Sequence, residues 1–366
     1  MQTAIPCLFM RGGTSRGPFF RAGDLPADTP TRDRVLLAVM GSPDKRQIDG
    51  LGGAHPLTSK VGIVSPGSKP GVDLDFLFAQ LQPDKDTVDT TPNCGNMLAA
   101  VVPFALETKM VRAQGDTTTL RVLTLNTDMQ CDVTVCTPGG GAVEYAGNAR
   151  IDGVPGSSAP ITINFLDTAG SVCSGLLPTG RVRDTVTVEG VGTIDVTCID
   201  NGMPLVMMRA ADLGRTGYES VADLNADTEL KTRLEALRLH CGHLMGLGDV
   251  KKKTYPKMTL IAAPRDGGNL TTRSFIPHVC HDAIGVLAAV TVGTACVLEG
   301  SVTEGVAVMP AGHVKTVSVE HPTGEFSVEL GLDPANPQSV TRAALLRTAR
   351  LIMRGEVMVP AAAWPR

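Results

Sequence analysis

Thr91-Pro92-Asn93-Cys94-Gly95-Asn96, with the apolar run 97–106 behind it, is the stretch that decides how this chain folds. Pro92 favours an extended approach, and Asn93 or Asn96 can cap a helix that starts at or just after Cys94. The run carries Met97, Leu98, Val101, Val102, Phe104 and Leu106 with alanines between them, so it is apolar on every face. Such a helix is enclosed by other elements rather than laid on a surface. Pro103 inside it should kink it or mark a tighter turn. A thiol at a helix start lies beside unpaired N–H groups and the positive end of the helix dipole, which favour a thiolate and other anions. Cys94 therefore reads as a thiol for acid–base work over a carboxylate seat, or as a small core residue. The flanking asparagines and glycine point to the first.

Outward from this stretch the chain is β-prone. Short strands are expected at 5–9, 57–64 and 72–82 before it, and at 118–125, 130–137, 142–145 and 160–165 after it. An amphipathic helix is expected at 32–40. Segment 167–183, with its glycines and Pro178, reads as a linker. A second block repeats the order, with strands at 185–189, 193–199, 205–208, 258–263 and 270–276 and an amphipathic helix at 227–245. A second all-round apolar helix, 283–298, follows Cys280-His281-Asp282, and strands at 306–309, 314–320, 326–330 and 350–359 close the chain. Strands, buried helix and strands thus occur twice. The economical architecture is α+β: two similar domains, each a β-rich, barrel-like sheet wrapped around a buried central helix. The expected domains are 1–180 and 181–346, with the terminal strand 347–366 free to return to the first, and the site is expected in the cleft between them.

Composition narrows the function. A net charge of −4 without a basic stripe, and 4% aromatics, argue against a nucleic-acid partner. Nine cysteines at irregular spacing fit reduced thiols in a cytoplasmic protein better than a disulfide framework. The start lacks a signal-peptide pattern, and no apolar stretch is long enough for a membrane span. His240-Cys241-Gly242-His243 and His278-Val279-Cys280-His281 match no familiar metal-ligand spacing, so no metal is expected.

Two Gly-rich segments, Met10-Arg11-Gly12-Gly13-Thr14-Ser15-Arg16-Gly17 and Asp49-Gly50-Leu51-Gly52-Gly53, offer backbone and side-chain donors to an anion. Lys60 stands at the start of a Val/Ile-rich strand. It reads either as a strand-edge residue with its amine in solvent or as a desolvated amine suited to act as a base.

Together, Met10 to Gly17, the Gly50-Leu51-Gly52-Gly53 to Thr58-Ser59-Lys60 stretch, and Asn93-Cys94-Gly95-Asn96 resemble the PrpF-like isomerases. The resemblance spans nearly the whole chain and implies the diaminopimelate-epimerase-like fold. It also implies a small polycarboxylate substrate and no cofactor. The variants Met40-Gly41-Ser42-Pro43-Asp44 and Gln47 to Gly53 look closest to members acting on 4-oxalomesaconate in gallate and protocatechuate breakdown. The implied reaction is a keto–enol or 1,3-allylic proton shift, with aconitate isomerisation as the alternative and a metal-dependent hydrolase further off. A non-catalytic carrier is the other class, opposed by the presence of both Lys60 and Cys94. The resemblance implies Lys60 and Cys94 as catalytic residues. Arg11, Gly13, Thr14, Ser15, Gly53, Ser59, Asn93, Gly95 and Asn96 would bind substrate. So would Arg273, Ser274, His281 and Asp282, by looser similarity to the epimerases. His281 stands where an epimerase has its second catalytic cysteine, which favours a proton shift run from one side. The chain is compatible with a homodimer.

Overall fold

The computed structural model describes residues 2–166 and 168–364, with the backbone alone at 336–339. Contacts divide the chain into two compact units, Met1–Leu166 with Leu346–Arg366, and Asp167–Leu345.

The first unit opens with a hairpin. β1 (Gln2–Gly12) and β2 (Ser15–Arg21) pair antiparallel with Gly12 opposite Ser15, which leaves only Gly13-Thr14 in the turn. Gly13 takes a φ of 51°, the left-handed conformation that a two-residue hairpin turn demands. Segment 10–17, expected as an open Gly-rich loop, is therefore mostly strand. α1 (Thr29–Met40) begins at Asp28, whose carboxylate accepts from Thr31 N at 2.9 Å. β3 (Lys60–Pro66) lies parallel to β2 and antiparallel to β4 (Leu74–Leu81), and β5 (Val88–Asp89) is a short edge on β4. The stretch after Cys94 forms two helices, α2 (Gly95–Leu98) and α3 (Val101–Glu107). β6 (Thr117–Thr124), β7 (Met129–Cys136) and β8 (Ile161–Phe165) form an antiparallel meander, with β6 parallel to β4. The C-terminal strand Ala349–Pro360 runs antiparallel along all of β1, from Gln2 opposite Pro360 to Gly12 opposite Ala349.

Alternation along these strands sorts the side chains onto two faces. Ile5, Cys7, Val61 and Ile63 pack against Val35, Leu36, Val39 and Met40 of α1. Their neighbours point the other way, toward α2 and α3, where the Phe19 and Phe104 rings meet at 5.9 Å between centroids. The expected single helix 97–106 breaks at Ala99-Ala100 because Pro103 has no N–H to give to Ala99 O, and its ring crowds that carbonyl. Pro103 falls instead in the first turn of α3, where a missing donor costs nothing. Every apolar side chain of the pair except Leu106 is buried.

In the second unit β9 (Asp184–Val188), β10 (Gly192–Asp200) and β11 (Pro204–Arg209) pair in antiparallel succession. α4 (Val221–Ala226) and α5 (Thr228–Leu244) follow, the latter capped by Asp227. β12 (Lys257–Ala262) runs parallel to β11 and antiparallel to β13 (Leu270–Phe275). α6 (Val286–Val297) is buried over nearly its whole length. Below it lie Leu205, Met207, Ile261, Leu270, Val317, Val319, Val328 and Leu330. β14 (Val314–His321), β15 (Gly324–Asp333) and β16 (Asn336–Arg347) complete an antiparallel run.

Several expectations need correction. Segments 142–145 and 306–309 contain no strand, and α4 and β16 were not foreseen. α6 starts at Val286, not Ala283, because Gly285 is the cap. Segment 167–183 has no helix or strand among its described residues, but it is no free linker. Val172 N and Cys173 N both donate to Asp200 Oδ2 at 2.8 Å, and Leu176, Leu177 and Val182 pack on the α6 core. Residues 168–180, expected with the first domain, thus cluster with the second unit. No described helix is long and apolar enough to cross a membrane.

Candidate active site

Lys60 begins β3 on the face that looks toward α2 and α3, because Val61 and Ile63 take the α1 side. Only 8% of the residue is exposed. Its amine donates to Gln80 Oε1 at 2.5 Å and lies 4.8 Å from the centre of the Phe78 ring. Both partners follow from register, since Gln80 is directly opposite Lys60 and Phe78 is opposite Gly62. The Gln80 amide is itself fixed. Its Nε2 donates to Pro56 O at 3.0 Å, Ser59 O at 3.2 Å and Leu81 O at 2.9 Å, so only the carbonyl oxygen can turn to Lys60.

Cys94 caps α2, with its C=O accepting from Leu98 N at 2.9 Å, and its half-buried thiol makes no cap bond. Asn93 holds the approach: Oδ1 accepts from Cys94 N at 2.9 Å, and Nδ2 reaches the hydroxyls of Thr124 and Thr127. Asn96 joins α2 to the hairpin tip through Nδ2 to Thr14 Oγ1 at 2.9 Å, and its Oδ1 accepts from Arg347 Nε at 3.0 Å. The glycines make this docking possible. A Cβ on Gly12 would lie 2.3 Å from Asn96 O, one on Gly13 2.1 Å from Asn96 Oδ1, and one on Gly17 1.8 Å from Lys60 O. The hairpin, the start of β3 and the start of α2 are thus pressed together along their backbones. Ser15, opposite Gly12, is buried there and its hydroxyl has no partner among the described residues.

Not every expected residue joins this cluster. Ser59 is fully buried, with its hydroxyl engaged by Gln47 Oε1 and His55 O. Gly53 packs against the Thr58 side chain. Arg11 lies on the other face of β1 from Gly12 and donates to Gly13 O, Thr348 O, Thr348 Oγ1 and Ser158 Oγ. Arg347, which was not foreseen, is a buried guanidinium behind Asn96. Its signal was hidden because β16 was not recognised.

In the second unit β13 sets Arg273 and Ser274 side by side. Arg273 is 9% exposed and donates through Nε to Glu219 O and through NH1 to Thr272 O. Burial lowers its pKa against weaker opposing attraction from Cys280, Glu219 and Glu320. His281 N donates to Ser274 O at 2.8 Å, and Nδ1 accepts from Ala283 N. Neutral His281 therefore carries its proton on the exposed ring's Nε2. Asp282 is exposed and its carbonyl accepts from Thr323 Oγ1. Cys280 is buried and its thiol is pushed up to about 11 by desolvation, partly offset by Arg273.

A family described as PrpF protein matches residues 2–360. The chain belongs to the PrpF family. It is 56% identical over 356 residues to the (4E)-oxalomesaconate Delta-isomerase of a Novosphingobium species, covering 97% of this chain and 98% of that one. It is 54% identical over 363 residues to the 4-oxalomesaconate tautomerase of Pseudomonas putida, covering 99% and 98%. Among solved structures, a methylitaconate-delta-isomerase superposes with a TM-score of 0.85 at 36% identity, covering 99% of this chain and 97% of that one. By these relatives it is a PrpF-type isomerase with a mixed sheet and few helices.

Proposed function

We propose that this isomerase moves a proton on 4-oxalomesaconate, with Lys60 as the base and Cys94 as its partner. The observation carrying the proposal is Lys60 itself, a buried amine held by the neutral oxygen of Gln80 rather than by a carboxylate. An amide oxygen orients the amine without setting an opposite charge beside it. The Phe78 ring then faces the ammonium that forms, an interaction of about 0.5–2 kcal/mol.

Loss of a proton from the carbon next to the ketone gives a dienolate whose charge spreads to the ketone oxygen. Return of the proton to oxygen completes a tautomerisation, and return to the far carbon shifts the double bond. The Cys94 thiol is the donor for the new position. The unpartnered Ser15 hydroxyl, Thr14, Asn93, Gly95 and Asn96 are the groups for the dienolate and its adjacent carboxylate. On this reading the two units are two versions of one helix-centred, epimerase-like design.

The test is deuterium incorporation into 4-oxalomesaconate in deuterated water, read by proton NMR, with aconitate run alongside. Lys60→Met should abolish incorporation while substrate still binds. Cys94→Ser should reduce turnover by roughly 10²–10⁴ in a folded protein. Incorporation that survives in the Met variant and vanishes in the Ser variant would make the thiolate the base. Faster turnover of aconitate would reverse the choice of substrate.

A further inference from the structure

Three arginines stand in one row across three neighbouring strands. Arg16 on β2 is directly opposite Arg11 on β1, and Arg11 is directly opposite Arg350 on the C-terminal strand. Like charges in such positions repel, and nothing in hydrophobic patterning would place them there. The register itself is arranged for it. The pairing slips by one residue after Phe9, which faces Met353 while Met10 faces Leu351, so Ile352 is the extra residue of a bulge. Without that bulge Arg350 would fall opposite Gly12, on the face turned to α2. With it, Arg350 joins Arg11 on the other face.

The row lines a cavity of about 540 Å³ together with Tyr145, Ser157 and Ser158. Among the described residues neither Lys60 nor Cys94 borders it, and no carboxylate does. Arg11 gives its hydrogen bonds only to neutral oxygens. Arg16 lies over the Phe9 ring at 5.8 Å, and among the described residues neither it nor Arg350 has an ion-pair partner. Burial and the nearby Arg350 charge both lower the Arg11 pKa, so the protein itself does not neutralise the row.

We propose that this cavity is a second anion site, distinct from the Lys60 face, that takes a small multiply charged anion through Arg11, Arg16 and Arg350. Planar guanidinium forks suit carboxylates and phosphates alike, so the shared chemistry is two or three anionic oxygens at close spacing. Isothermal titration of the full chain with citrate, and separately with inorganic phosphate and pyrophosphate, tests it. The parent should bind at least one of them, and Arg16→Gln/Arg350→Gln should bind it roughly tenfold or more weakly. Binding at the Lys60 face persists in that variant, as does turnover, so only the difference is scored. A preference for citrate identifies a carboxylate ligand, and a preference for the phosphates identifies a phosphorylated one. Should the double variant fail to fold, Ser157→Asp supplies a carboxylate inside the cavity and should raise Tm while abolishing binding. Equal affinity in parent and variants, or no binding to the parent at millimolar anion, would overturn the proposal.

Discussion

Replacing Gln80 by leucine removes both the oxygen that accepts from the Lys60 amine and the Nε2 that donates to Pro56 O, Ser59 O and Leu81 O. Among the described residues the 2.5 Å contact to Gln80 Oε1 is the one hydrogen bond fixing that amine, and the Phe78 ring sets no direction for its lone pair. Leaving a buried donor without a partner costs about 1–3 kcal/mol, and every 1.4 kcal/mol is a factor of ten. Gln80→Leu should therefore lower kcat by roughly ten- to a hundredfold, with KM little changed because Gln80 does not bind substrate. Gln80→Glu separates orientation from charge. It keeps the shape but sets a carboxylate against the amine, which favours the ammonium. A base needs a free lone pair, so this variant too should lose kcat with KM little changed. Initial rates of deuterium incorporation read both effects, with Tm measured to exclude unfolding. Rates equal to the parent's in both variants would refute the role given to Gln80.

Other outcomes follow from single contacts. Gly17→Ala puts a Cβ 1.8 Å from Lys60 O, so β2 and β3 must part. Urea unfolding should show a loss of about 1–3 kcal/mol, with activity falling further than stability. Glu320 accepts from Arg265 N, Asp266 N, Gly268 N and Thr271 Oγ1. Desolvation raises its pKa, but these hydrogen bonds outweigh it and the carboxyl titrates below its ordinary value. Its stabilisation is thus present above about pH 4.3 and lost as pH falls through the folded-state value, and Glu320→Gln should flatten the stability curve in that acid range. Iodoacetamide at pH 7.5 should label half-exposed Cys94 well before Cys280, whose thiol is buried and held near 11. Peptide mass spectrometry gives the order, and early labelling of Cys280 would contradict its burial.

Segments with a single strong pattern were legible without coordinates. β6, β7, β10, β12, β13 and α5 lie within a residue or two of where alternation or helical spacing puts them. Failures came where a local signal had two readings. Gly12, Gly13 and Gly17 suggested a loop, but their role is to let Asn96 and Lys60 approach a hairpin, a demand set by partners distant in sequence. β16 went unread because Val340, Ala343, Ala344, Leu345 and Arg347 sit in a run of mixed polarity that only pairing with β15 organises. The motif around Lys60 and Cys94 was visible, but Gln80 and Arg347 were not. A neutral amide twenty positions along the chain has meaning only once strand register sets it opposite the amine.

β1 and the strand Ala349–Pro360 lie side by side, paired from Gln2 with Pro360 to Gly12 with Ala349. During synthesis the segment 167–345 has all its own strands available while β1 still waits for a partner not yet made. The second unit can therefore mature first, and the first closes only after the strand Ala349–Pro360 leaves the ribosome. Until then β1 presents an unpaired edge, the state most exposed to pairing with another nascent copy. The same adjacency makes the protein a natural substrate for circular permutation. A short linker joining Gln2 to Pro360, with the chain opened at an exposed turn such as Gly190, would bring that late pairing forward and remove the vulnerable interval.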